Sequence, residues 1–235
     1  MNGRAIRIGL GVLVLALMLA ALYMVFVVVP TEADQGIVQR IFYFHVPCAW
    51  VAFASFALVA VAGIFYLWLG DQVWDDMGYA AAEVGTIFCG LVLITGSIWA
   101  KPIWGAWWTW DSRLTTTLIL FLLYCGYLML RSMAGDSEQG ARFGAVVGIV
   151  AAIDVPIVIV SVRLWRTIHP AVLVTRQGGH GLEDPRMVAT LLVALAAFTA
   201  LFIWILCLRF VTLRMRTRLR TLAGSLAMAE LPDQP

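Results

Sequence analysis

Six apolar runs, each about as long as the hydrocarbon core of a bilayer is thick, constrain this chain more than any other feature. They lie at roughly 8–29, 47–69, 80–100, 114–132, 143–162 and 188–208. About twenty consecutive apolar residues are enough for a helix to cross. Inside lipid a backbone must satisfy its own polar groups, so such runs are read as helices. Composition agrees: 62% of the 235 residues are hydrophobic and only 13% charged, against about half and a quarter in soluble domains. The expected fold is therefore an all-α integral membrane protein, a single domain over 1–235 built as a bundle of six spanning helices. The first run is too long for the apolar part of a signal peptide, and "VVVPTEADQG" after it lacks an A-x-A cleavage pattern, so it is read as a retained helix.

Six crossings put both termini on one side. The tail from 209 onward opens with "RFVTLRMRTRLR", which holds five Arg, and the head carries Arg4 and Arg7. The bias of basic residues toward the cytoplasm makes both ends cytoplasmic. The opposite face then receives "PTEADQGIVQRIFYFH", a tryptophan-rich segment over 101–113, and "RLWRTIHPAVLVTRQGGHGLEDPR". It also holds Arg40, Lys101, Arg113, Arg163, Arg166, Arg176 and Arg186, an excess of charge that needs a reason. The inner loop "DQVWDDMG" has no basic residue. A net charge of +2, spread along the chain, gives no footprint for nucleic acid.

All three histidines, His45, His169 and His180, fall on that outer face. His45 lies two residues before Pro47 and is expected at the mouth of the second helix. His169 directly precedes Pro170, which biases it out of helical geometry. Two imidazoles from separate segments at one depth can face each other across a flat ligand, and imidazole also suits zinc or copper. Taken singly, each is better explained as a hydrogen-bonded interfacial side chain; the pair, each flanked by aromatics and a proline, is different. His180, in "QGGHGLEDP", reads as solvated. The four cysteines lie in or beside apolar runs and form no C-x-x-C pair, so they read as small hydrophobes.

"WGAWWTWD" sets Trp104, Trp107, Trp108 and Trp110 beside Asp111. Tryptophan belts anchor helices at membrane surfaces, but four in eight residues is more than anchoring needs. If the stretch is helical, Trp104, Trp108 and Asp111 share a face and the segment forms an apolar shelf. Asp111 is placed to cap the fourth helix or to orient Arg113. Such a shelf fits a planar aromatic ligand with anions at one edge, which Arg113, Arg163 and Arg166 would meet. Asp154, within the fifth run, either faces a cavity or is a buried acid bonded to backbone freed by Pro156. "GAVVG" offers a small-residue face that a partner permease could use. Glu83 reads as a favourable charge in the first turn of the third helix.

"KPIWGAWWTWDSRLT" resembles the WWD signature of haem-handling proteins of cytochrome c biogenesis. With "IFYFHVPCAWVAF" and "SVRLWRTIHP" in the same order and spacing, the chain resembles the CcmC family over nearly its whole length. The resemblance implies haem b held at the outer face of the bacterial cytoplasmic membrane by His45 and His169 as axial ligands. It implies that the tryptophan segment backs the haem, and that the haem passes to the chaperone CcmE. It further implies work beside the ABC transporter subunits CcmA and CcmB and the small membrane protein CcmD. Pro170 and Asp154 depart from the family, which more often has Gln and an amide there. The chain itself shows no Walker motif or nucleophile–base pair, so ATP use falls to another chain. Two other classes stay open. One is an electron-transfer cytochrome b with permanent haem; the other is a solute transporter, which would carry paired broken helices where only "DVP" comes close.

Overall fold

The computed structural model describes residues 3–135, 137–165, 169, 182 and 184–229. Seven α-helices build it: α1 (Gly3–Tyr23), α2 (Phe42–Leu69), α3 (Gln72–Trp104), α4 (Ser112–Ala134), α5 (Glu138–Ala152), α6 (Asp154–Leu164) and α7 (Pro185–Ala229). No strand occurs among the described residues. Six helical stretches are long and apolar enough to cross a membrane, α5 and α6 together making one of them. The fold is an all-α six-span membrane bundle.

The run around Asp154 is interrupted at one residue, Ile153, which itself keeps helical geometry at φ −61° and ψ −27°. Pro156 has no N–H for the carbonyl of Ala152, α5 stops at Ala152, and α6 restarts at Asp154. The Asp154 side chain is buried, and its Oδ2 has no hydrogen-bond partner among the described residues.

Between membrane helices close packing replaces the hydrophobic effect as the source of association, and small residues permit it. The "GAVVG" face is used inside this chain. A Cβ on Gly148 would lie 2.8 Å from Val59 Cγ1 of α2, and one on Gly144 would lie 2.4 Å from Arg131 Cδ of α4. Tyr124 donates to the Gly148 carbonyl at 3.2 Å and stacks on Phe56 with ring centres 3.7 Å apart. The face expected for a permease is thus occupied by α2 and α4.

α3 has 33 residues, roughly 50 Å at 1.5 Å per residue, and so gives the bundle two ends. "DQVWDDMG" is not a loop but the N-cap and first turns of this helix, with Asp71 accepting from the Val73 N–H. Its acids turn inward. Asp75 meets Arg131 at 2.6 Å, Asp76 meets Arg214 at 3.2 Å, and Glu83 pairs with Arg209 through both carboxylate oxygens. Glu83 therefore lies three turns into α3 and ties it to α7, instead of serving the helix N-terminus. α1 runs antiparallel to α7: Trp204 donates to the Arg7 carbonyl at 3.2 Å, while Val25 packs with Leu191. The starts of α1 and α3 and the far part of α7 accordingly share one end of the bundle. The other end holds the tryptophan-rich segment over 104–111.

Candidate functional site at the tryptophan end

Gly105 and Asp111 decide the shape of the tryptophan segment. Gly105 adopts φ +76°, the left-handed conformation that ends helices, and its N–H caps α3 on the Lys101 carbonyl. Asp111 starts α4, its Oδ1 accepting from the Arg113 N–H at 3.0 Å and the Leu114 N–H at 3.2 Å. The residues between are not helical, so the shared face of Trp104, Trp108 and Asp111 does not exist as a helical face. Trp104 closes α3 and is half-buried. Trp107 and Trp110 are 58% and 77% exposed. Trp108 is half-buried and meets Trp110 edge-on at 5.8 Å.

His45 lies at the start of α2 and is itself helical. The helix begins at Phe42, so His45 is in the first turn and Pro47 follows within the helix. Its ring packs on α3. Nδ1 is 2.9 Å from Thr95 Oγ1, and Trp99 meets the ring edge-on at 5.8 Å. Trp99 in turn donates from Nε1 to Gln35 at 3.0 Å, which fastens the 30–36 segment over this corner.

His169 stands edge-on to Trp104, ring centres 5.1 Å apart. Its Nδ1 is 3.9 Å from Asp111 Oδ1. Burial, reinforced by the Arg113 guanidinium and opposed by the Asp111 carboxylate, holds the imidazole down at about 4. It is neutral at pH 7. The His169 ring and the Arg113 guanidinium both lie within electrostatic reach of His45. The two histidines, Trp104, Asp111 and Arg113 thus share one neighbourhood.

Arg113 reaches the Ile159 carbonyl of α6 with Nη2 at 3.4 Å. Its Nε has no partner among the described residues, and the same holds for Trp108 Nε1, Thr109 Oγ1 and Ser112 Oγ, all buried. Buried polar groups normally find partners, so this short stretch presents a set of donor-capable atoms lacking an acceptor. Sequence reasoning singled out Trp108 and Arg113 here and missed Thr109, Ser112, Thr95 and Trp99.

Other expected site residues fall elsewhere. Arg163 is exposed in the last turn of α6. Asp154 and Pro156 lie at the α5–α6 break, further along the bundle. Arg166, Pro170, Arg176 and His180 lie outside the described residues. Two of the excess outer arginines have local roles. Arg40 donates to the carbonyls of Phe26 and Val29, closing the π-helical turn after α1. Arg186 pairs with Asp184 at the start of α7. Among the described residues no three His, Cys, Asp or Glu side chains converge as a closed metal site would need.

A family model described as CcmC, heme exporter protein C, matches residues 2–224. A "Heme exporter protein C" of Bradyrhizobium diazoefficiens is 39% identical over 179 residues, covering 74% of this chain and 66% of the relative. Its namesake from Haemophilus influenzae is 36% identical over 182 residues, 77% of this chain and 73% of the relative. A "Putative cytochrome c biosynthesis ccmC-like mitochondrial protein" of Arabidopsis thaliana is 30% identical over 203 residues, 86% of this chain and 73% of that protein.

Proposed function

This chain belongs to the CcmC, heme exporter protein C, family, and from that premise we propose that it binds haem as cargo and delivers it during c-type cytochrome biogenesis. Haem b enters the site at the tryptophan end, on the outer face of the bacterial inner membrane. His45 and His169 ligate the iron from opposite sides. Trp104, Trp107, Trp108 and Trp110 back the porphyrin, with Asp111 holding the segment in shape. Arg113 meets a propionate, with Arg163 and Arg166 as further candidates. The recipient is the chaperone CcmE, and the ABC transporter subunits CcmA and CcmB with the small protein CcmD complete the assembly.

The observation that carries this reading is the cluster of buried donor-capable atoms without acceptors: Trp108 Nε1, Thr109 Oγ1, Ser112 Oγ and Arg113 Nε. Arg113 lies within electrostatic reach of the neutral imidazole of His169. A guest with anionic carboxylates would supply the acceptors these donors lack, and its metal would suit a neutral imidazole. The exposed indole faces of Trp107 and Trp110 offer flat area to such a guest.

One observation favours the permanent cytochrome instead: His45 is set in a helix against its neighbour. His169 weighs the other way, since it lies beyond the end of α6 and is not itself helical. The visible spectrum of the purified protein tests the reading. His45→Ala and His169→Ala should each remove a low-spin six-coordinate haem signal, while His180→Ala leaves it. Adding the chaperone should then move haem off the wild-type protein. Unchanged spectra in both single variants would discard the ligands, and haem that never leaves would favour the cytochrome.

A further inference from the structure

The hydroxyl of Thr95 has one proton and two lone pairs. Its Oγ1 lies 2.7 Å from the Leu91 carbonyl and 3.3 Å from that of Val92, both one turn back on α3. Carbonyls only accept, so the hydroxyl proton points to them. What Thr95 turns toward His45 is a lone pair, and His45 Nδ1 stands 2.9 Å from it. That contact is a hydrogen bond only if Nδ1 carries the proton. A neutral imidazole protonated at Nδ1 keeps its lone pair on Nε2, the reverse of the tautomer neutral histidine favours in water.

The next residue makes the seat. A Cβ on Gly96 would come 3.1 Å from His45 Cε1, closer than ordinary packing allows, so a side chain there would push the ring off Thr95. Trp99 closes the same side of the ring. Three residues within little more than one turn of α3, Thr95, Gly96 and Trp99, thus grip one imidazole and leave its Nε2 edge out of the hydrogen bond.

We propose that Thr95 is a positioning residue that fixes the tautomer of His45, holding the proton on Nδ1 and reserving the Nε2 lone pair for iron. The tautomer stands on the hydrogen bonds alone; its use rests on the reading of His45 as a ligand. In metal sites the group that orients a ligating imidazole contributes a further 10- to 100-fold in affinity.

The chain has three histidines, so a 15N-histidine spectrum of the haem-free protein in bilayers holds few enough signals to assign by loss in His45→Gln. The wild-type His45 signal should show a proton on Nδ1. Thr95→Val, nearly the same shape without the hydroxyl, should shift it toward the Nε2-protonated form, and Thr95→Ser should restore it. Unmoved signals from the other two histidines report that the variant is folded; Thr95→Ala serves if Thr95→Val is not. Haem titration should then show a loss of about tenfold for Thr95→Val and near wild-type affinity for Thr95→Ser. A wild-type ring protonated on Nε2, or one indifferent to Thr95→Val, overturns the proposal. If the tautomer responds while His45→Ala leaves the haem spectrum intact, the ligand reading fails and the proton assignment stands. If His45→Ala removes the spectrum but Thr95→Val changes neither tautomer nor affinity, the ligand reading stands and the positioning role fails.

Discussion

Asp111 combines two roles that one pair of substitutions separates. Its Oδ1 caps α4 through two backbone N–H groups, at 3.0 and 3.2 Å, and the same atom lies 3.9 Å from His169 Nδ1. The side chain is 8% exposed, so the cap is shielded from water. Losing an N-cap to Ala costs about 0.5–2 kcal/mol, whereas Asn caps nearly as well as Asp. Asp111→Ala should therefore lower stability by about 1–2 kcal/mol, and Asp111→Asn by only a few tenths. The charge follows a different pattern. At 3.9 Å the carboxylate is beyond hydrogen-bond length but near enough to attract the Nδ1 edge of His169. Its loss should weaken haem binding by about tenfold, the low end of what such orienting groups contribute, and should do so equally in Asn and Ala. Unfolding in mixed micelles measures the first quantity, and Soret titration of haem into the purified protein the second. Equal stability loss in Asn and Ala would refute the cap. Wild-type haem affinity in Asp111→Asn would show that the carboxylate serves the helix alone.

Three other substitutions bear on the same picture. Replacing Trp107 and Trp108 together by Phe should lower haem content and transfer to the chaperone, because a shelf needs the wide indole face; wild-type levels of both would favour a membrane belt. Arg113→Ala should weaken binding of haem by about 1.5–3 kcal/mol, the range for a hydrogen bond to a charged group, and leave binding of its propionate dimethyl ester unchanged; equal losses for the two would assign Arg113 to lipid. Arg131→Met should cost about 3–5 kcal/mol by stranding buried Asp75, and adding Asp75→Leu should recover most of that in the same unfolding assay; a double variant no more stable than the single would refute the pairing.

Local features of the fold were legible in the sequence, and long-range ones were not. Apolar runs mark the spans because lipid demands them. The flanking Gly105 and Asp111 carried the signal that the tryptophan segment is an interhelical connection, a helix stop followed by a helix start, although the spacing of Trp104, Trp108 and Asp111 also suited a helix. Pro156 announced the α5–α6 break. The pairs Asp75–Arg131, Glu83–Arg209 and Asp76–Arg214 join residues 56, 126 and 138 positions apart, and periodicity says nothing about partners at such separations. A signal did exist: acids in a spanning segment require partners inside the bundle, and Asp76 and Glu83, seven residues apart, lie on one face of α3. Thr95 was unreadable in a different way. Threonine in a membrane helix ordinarily bonds back to its own backbone, and only the placement of α2 reveals that it also receives His45.

The two ends of the bundle differ in how their polar groups are matched, and the difference favours the tryptophan end as the site proposed above. At one end Asp75, Asp76 and Glu83 each have an arginine, and those arginines come from α4 and α7. Opposed charges there hold three helices in register, and an incoming anion would compete with carboxylates already in place. At the tryptophan end the balance is reversed. Trp108, Thr109, Ser112 and Arg113 present buried donor-capable atoms without acceptors among the described residues, while Asp111 Oδ1 accepts from two backbone N–H groups of α4. Leaving a buried donor unmatched costs about 1–3 kcal/mol, so this corner is stabilised by whatever brings acceptors to it. Haem brings two carboxylates on one edge and, at its centre, an iron that accepts imidazole lone pairs. His169 is neutral at pH 7, and Thr95 turns only an acceptor toward His45 Nδ1, so the chemistry of both rings suits iron. At the other end Arg131 Nε and Nη1 are also buried without partners, but the Asp75 carboxylate already sits on that guanidinium; the donors of the tryptophan end favour uptake of cargo here.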